Sequence, residues 1–171
     1  MAIKHGQMNI ELARWAVRGD QDALTFLAHM HDIAYIADDL ADGDSGSVGR
    51  SVETLLALTL VSVPEDPFYQ KHAARLHPII ANAITHWAVA NEFERTKDVA
   101  MFDRAFILRS MYATLTTTAA EIVGGPVNGI HWAREVGIRL WKEWASDENI
   151  SSYMQEHLPP APPVEVIETR E

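Results

Sequence analysis

Cysteine is absent from the 171 residues, which rules out disulfides and thiolate metal sites. No apolar stretch approaches the ~20 residues of a membrane span. The opening Met-Ala-Ile-Lys-His-Gly does not have the layout of a secretory leader. The nearest approach to a phosphate-cradling loop, residues 43–49, is followed by Arg50 where a P-loop needs lysine. Cations are scarce as well: 14 Lys and Arg stand against 24 Asp and Glu, for a formal charge of −10. Wrapping nucleic acid through its phosphates needs clustered Lys and Arg, so no nucleic-acid partner is expected. Only local basic groups, for example Arg104, Arg109, Arg134 and Arg139, could serve there. These features together predict a cytoplasmic protein with no membrane partner.

Hydrophobic residues make up 47% of the chain, enough to exclude wholesale disorder and to fill the core of one domain. The apolar period is helical nearly throughout. Helices are expected over residues 9–17, from an Asp20 cap to about 41, and from a Ser51 cap over 52–61. Further helices are expected from Asp66-Pro67 to about 93, over 102–123 up to Gly124-Gly125, and over 129–145, with a short seventh after Ser146. The Leu-Leu-Ala-Leu-Thr-Leu content of 52–61 predicts a central helix. Pro78 interrupts an apolar run and should start or kink a helix. The fold class is therefore all-α: a single-domain bundle of six or seven helices over 1–158, with a disordered, flexible Pro/Glu-rich tail over 159–171.

What this chain has in excess is aspartate. Between Gly19 and Gly49 it carries seven, with no Lys, Arg or Glu among them. At about 100° per residue, His31, Asp32, Tyr35, Asp38, Asp39 and Asp42 share one helix face. Opposite lie Leu27, Met30, Ile33, Ala34, Ile36, Ala37, Leu40 and Ala41, with His29 as a core histidine. Aspartate is a poor helix former, and like charges at i,i+4, as in Asp38 and Asp42, repel. A bound divalent cation would turn that repulsion into attraction. The all-oxygen set Asp38, Asp39 and Asp42 suits Mg²⁺ or Mn²⁺. His31 and Asp32, about 10–15 Å away along the helical rise, suit a transition metal or proton transfer. The opposing expectation is a solvated surface.

Asp38-Asp39-Leu-Ala-Asp42 resembles the DDxxD helix of class I isoprenoid (terpenoid and polyprenyl) synthases, the likeness covering residues 28–50. The resemblance implies Mg²⁺ held by Asp38, Asp39 and Asp42, with a substrate diphosphate as ligand. More loosely, the chain is similar to small helical proteins of tailed bacteriophages, through the aspartate helix, Asn82-Ala-Ile-Thr-His-Trp87 and Arg109-Ser-Met-Tyr112. His29-Met-His-Asp-Ile-Ala also resembles the core of an HD-type phosphohydrolase motif.

Three other residues are candidates to complete a site. Arg109 can donate a bidentate fork to phosphate oxygens, and Asn82 and His86 stack at i,i+4 on one helix. Thr114 and Thr116–Thr118 are expected to bond back to helix carbonyls. Glu92, Glu94, Asp98 and Asp103 read as solvated, and an exposed subset of the tryptophans at 132, 141 and 144 offers a homodimer seam. The functions left open are a metal-dependent protein acting on a phosphorylated small molecule, an HD-type hydrolase, and a non-enzymatic phage accessory factor presenting its acidic face.

Overall fold

The computed structural model describes residues 8–44, 46–97, 99–147 and 151–153. Every element among them is helical: α1 (Ile10–Ala16), α2 (Gln21–Asp42), α3 (Val48–Ala57), a π turn (Leu58–Ser62), α4 (Val63–Glu65), α5 (Pro67–Thr96), α6 (Val99–Arg109) and α7 (Met111–Asp147). Because α3, the π turn and α4 run on without a break, the described residues form six helical stretches, the last of them bent at Gly125. This is the all-α bundle that the periodicity predicts. The expected tail at 159–171 lies outside the described residues.

Local chemistry sets several of the boundaries. Asn9, Asp20 and Asp66 each accept a hydrogen bond from the backbone N–H three residues on, at 3.0, 2.9 and 2.9 Å, satisfying one orphan donor of α1, α2 and α5. Gly43, at φ 78°, closes α2 in the left-handed region, which glycine enters without steric cost.

Three expectations need correction. First, α3 starts at Val48, three residues before Ser51, because the backbone of Ser47 already turns into the helix without a side-chain cap bond. Second, that helix is peripheral rather than central. No residue of α3 is buried among the described residues, and Val48, Val52, Leu56 and Leu60 are exposed.

Third, the predicted helix 102–123 breaks at Ser110, whose hydroxyl donates to Ile107 O in competition with the helical ladder. The expected stop at Gly124-Gly125 is present: two helices meet there within α7. Gly125 sits at φ 75° and ψ 178°, and Pro126 follows it where a helix start needs no N–H donor. The kink folds the chain tightly enough that a Cβ on Gly129 would lie 2.3 Å from Glu121 O.

Pro78 rides inside α5, where the irregular residue is His72 (φ −123°). Pro64 accounts for the π turn. Its ring would meet the Leu60 carbonyl in a regular helix; instead the ladder widens, and Val63 N–H bonds to Leu58 O.

The main core gathers Phe26, Leu27, Leu76 and Leu115 from α2, α5 and α7. A second cluster joins Ala90, Phe102 and Tyr153. A third packs α1 on both halves of α7 through Ala16, Ala120 and Val136, with Trp132 Nε1 donating to Ala16 O at 2.7 Å. Burial along α2 is uneven. Its buried residues are Ala23, Leu24, Phe26 and Leu27, all in its first two turns; beyond them Ala34 and Ala41, expected on the apolar side, are exposed.

Candidate functional site

The aspartate face of α2 divides in two. Asp38 turns towards α5 and α6, where the Arg109 guanidinium meets it. Arg109 donates from Nη1 to Asp38 Oδ1 at 2.7 Å, from Nη2 to Asn91 Oδ1 at 2.7 Å, and from Nε and Nη2 to the two oxygens of Glu94. Trp87 Nε1 donates to the same Asp38 oxygen at 3.1 Å, and the Tyr153 hydroxyl donates to Glu94. Three helices and the helical residues 151–153 thus converge on one arginine.

Local sequence explains why these groups meet. Trp87, Ala90, Asn91 and Glu94 fall on one side of α5 at helical spacing, and Ala90 among them is fully buried. Arg109 is the last residue of α6, where a cation complements the helix dipole, and the break at Ser110 leaves it at the mouth of the junction. Its side chain is 18% exposed and that of Glu94 is 12% exposed. Burial on its own would lower the Arg109 pKa, but the hydrogen bonds and charges of Glu94 and Asp38 override it and push the value up. Burial, and then Glu94, push the Tyr153 phenol up. Arg109 therefore stays charged and Tyr153 stays protonated.

Here the solvated reading of Glu94 is overturned: its carboxylate is one of the two that hold Arg109. Glu92 and Asp103 are exposed as expected, and Asp98 lies outside the described residues. The premise that no countercharge stands near the aspartates also gives way, since Arg109 supplies one from 71 residues along the chain.

The other candidates are placed as follows. Asp32, Tyr35 and Asp42 face solvent, and Asp39 is half-buried. Asp42 has its pKa raised by burial, then by the charge of Asp38, with Glu94 and Asp44 adding to it and Arg109 opposing. His31 Nδ1 lies 3.6 Å from Asp32 Oδ1, and the His31 ring meets Tyr112 edge-on at 5.6 Å. The Tyr112 hydroxyl is buried with no hydrogen-bond partner among the described residues; burial and the Asp32 charge both raise its pKa.

His29 faces away, 3.8 Å from the buried Asp66 carboxylate. Asn82 is exposed and His86 half-buried, on a flank of α5 about 100–140° round from Trp87. That flank is not the one by which Trp87, Asn91 and Glu94 reach Asp38 and Arg109. The threonines bond back as expected: Thr116 donates to Tyr112 O, and Thr117 and Thr118 donate to Thr114 O. Among the described residues no group of three or more His, Asp and Glu is arranged to hold a metal ion.

Sequence reading missed Trp87, Asn91, Glu94 and Tyr153 as members of this junction. Periodicity gives a helix face, not the partner helix, so nothing local marks these four. The one available signal was Glu94 on the line of Trp87 and Ala90, a carboxylate on a buried stripe that calls for a cation.

No helix among the described residues is long and apolar enough to cross a membrane. No protein-family model, curated protein or solved structure matches the chain.

Proposed function

We propose that this protein is a non-enzymatic interaction module, an accessory factor that docks onto a partner through the α2–α3 hairpin. The observation that carries this reading is the poor burial of that hairpin. Beyond Leu27, no residue of α2 or α3 is buried among the described residues, while Val48, Val52, Leu56 and Leu60 form an exposed apolar stripe. Soluble chains rarely leave such stripes bare unless something covers them. Asp32, Asp39, Asp42 and Asp44 add a field that steers a basic surface towards the same hairpin. The test is titration with an apolar dye (ANS) and with polylysine. Both should bind; salt should weaken only polylysine, and Leu56→Gln with Leu60→Gln should lower dye binding while leaving polylysine binding unchanged. Failure of wild type to bind either probe contradicts this function.

A second reading draws support from Asp42. Its neighbours Asp38, Glu94 and Asp44 crowd negative charge around it, and Mg²⁺ or Mn²⁺ at Asp38, Asp39 and Asp42 would relieve that crowding. Such an ion could clamp the oxygens of a diphosphate or another phosphorylated small molecule, with His31 and Asp32 further along the helix. Arg109 would then hold Asp38 in place rather than touch the ligand, because its fork is already committed to carboxylates. A rise in melting temperature with either ion and pyrophosphate, lost in Asp42→Asn, would decide for this alternative.

A further inference from the structure

The far half of α7 carries a second bare apolar stripe. Val127 is 82% exposed and Ile130 76%, and Ile138 is exposed on the same line. Successive angles of 0°, −60° and +20° at 100° per residue keep the three within one face. Arg134, also exposed, lies on that line between Ile130 and Ile138. The side that packs inwards is the other one, where Trp132 meets Trp15 and Val136 is buried.

The two stripes differ in charge. Residues 21–57, which hold the α2–α3 hairpin, carry seven carboxylates and one arginine. Residues 127–142 carry Arg134, Arg139 and Lys142 against Glu135 alone. A two-fold pairing of hairpin on hairpin would set one strongly acidic surface against its own copy. A two-fold pairing of α7 on α7 centred on the stripe would set Arg134 against Arg134. Both symmetric pairings bring like charges together, which costs several kcal/mol at an interface. Hairpin against α7 brings apolar stripe to apolar stripe and acidic surface to basic surface.

From this complementarity we infer that the occupant of the hairpin is a second copy of this chain, seated head to tail. The Val48–Val52–Leu56–Leu60 stripe of one copy covers Val127, Ile130 and Ile138 of the next. This rests on the docking function proposed above and names its partner. A head-to-tail contact of this kind closes into a ring if its rotation allows and otherwise extends as a chain.

The test is sedimentation velocity on the full chain from low to high micromolar concentration, with two double variants: Leu56→Gln with Leu60→Gln, and Val127→Gln with Ile130→Gln. All four side chains are at least half exposed, so both variants should fold, which circular dichroism checks. Wild type is expected to form species larger than a dimer, dissociating as salt rises. Each variant alone should be monomeric, and an equimolar mixture should give a dimer, because each supplies the stripe that the other lacks. Assembly abolished by one variant and untouched by the other overturns the head-to-tail arrangement. A monomeric wild type that still binds the dye through Leu56 and Leu60 overturns self-assembly and leaves the docking function standing. A monomeric wild type that binds neither dye nor polylysine overturns both.

Discussion

Arg109 and Asp38, 71 residues apart in sequence, meet at 2.7 Å where α2, α5 and α6 converge. That contact answers the electrostatic question the aspartate helix poses. The cation set among the carboxylates is a guanidinium of the chain itself, shared between Asp38 and Glu94. The hairpin beyond it is acidic and thinly buried.

Arg109→Met should destabilise the fold by about 3–5 kcal/mol, the cost of leaving partly buried carboxylates without a partner. Arg109→Lys should recover little, because an ammonium cannot reproduce the fork to Glu94, Asn91 and Asp38. Urea unfolding measures both. Adding Glu94→Gln to Arg109→Met should cost less than Glu94→Gln does in wild type, the coupling expected of groups in contact.

Gly129→Ala should lower stability by about 1–3 kcal/mol, since the added methyl meets the Glu121 carbonyl at 2.3 Å. The gain of about 0.5–1 kcal/mol that alanine brings to a helix interior does not offset this. Gly49→Ala, with open space around its Cβ position, should not lower it. The two melting temperatures separate a packing demand at the kink from a general effect of glycine.

Asp42→Asn should raise the melting temperature at pH 7. The folded-state pKa of Asp42 lies above its ordinary value of 3.8, so ionising it weakens the fold. The contribution of the neutral carboxyl is fully present below pH 3.8 and is lost as pH rises through the folded value. The advantage of the asparagine variant should therefore vanish in acid and shrink with added salt, because the site is largely exposed.

Asp66→Ala should cost about 1 kcal/mol through loss of the cap on Tyr69 N, whereas Asp66→Asn retains an acceptor and should cost less. Thermal melts of the two variants tell the cap from the carboxylate's charge.

The parts legible in the sequence are those decided within one helical turn. Asp20 and Asp66 cap where their types and positions predict, Asn9 caps one residue before the helix expected to include it, and the threonines of α7 return their hydroxyls to nearby carbonyls. The break at Ser110 was not legible, since a serine within a helical period breaks the helix only if its hydroxyl wins the competition for a carbonyl. The apolar run at 52–61 showed that α3 has an apolar face but not what covers it; the face proves wider than the side turned to α2. The carboxylates of α2 were visible, yet their arginine was not, because a pairing across 71 residues leaves no trace in local spacing. Arg109 itself was singled out for its bidentate fork, and in the structure that fork rests on Asp38 and Glu94.

The most direct test asks which cation balances the α2 aspartates. The measurement is the melting temperature of wild type with Mg²⁺ or Mn²⁺, with and without pyrophosphate. With Arg109 already seated on Asp38, the melting temperature should stay the same under all of these conditions. A saturable rise that disappears in Asp42→Asn would contradict the account and assign the face to a metal.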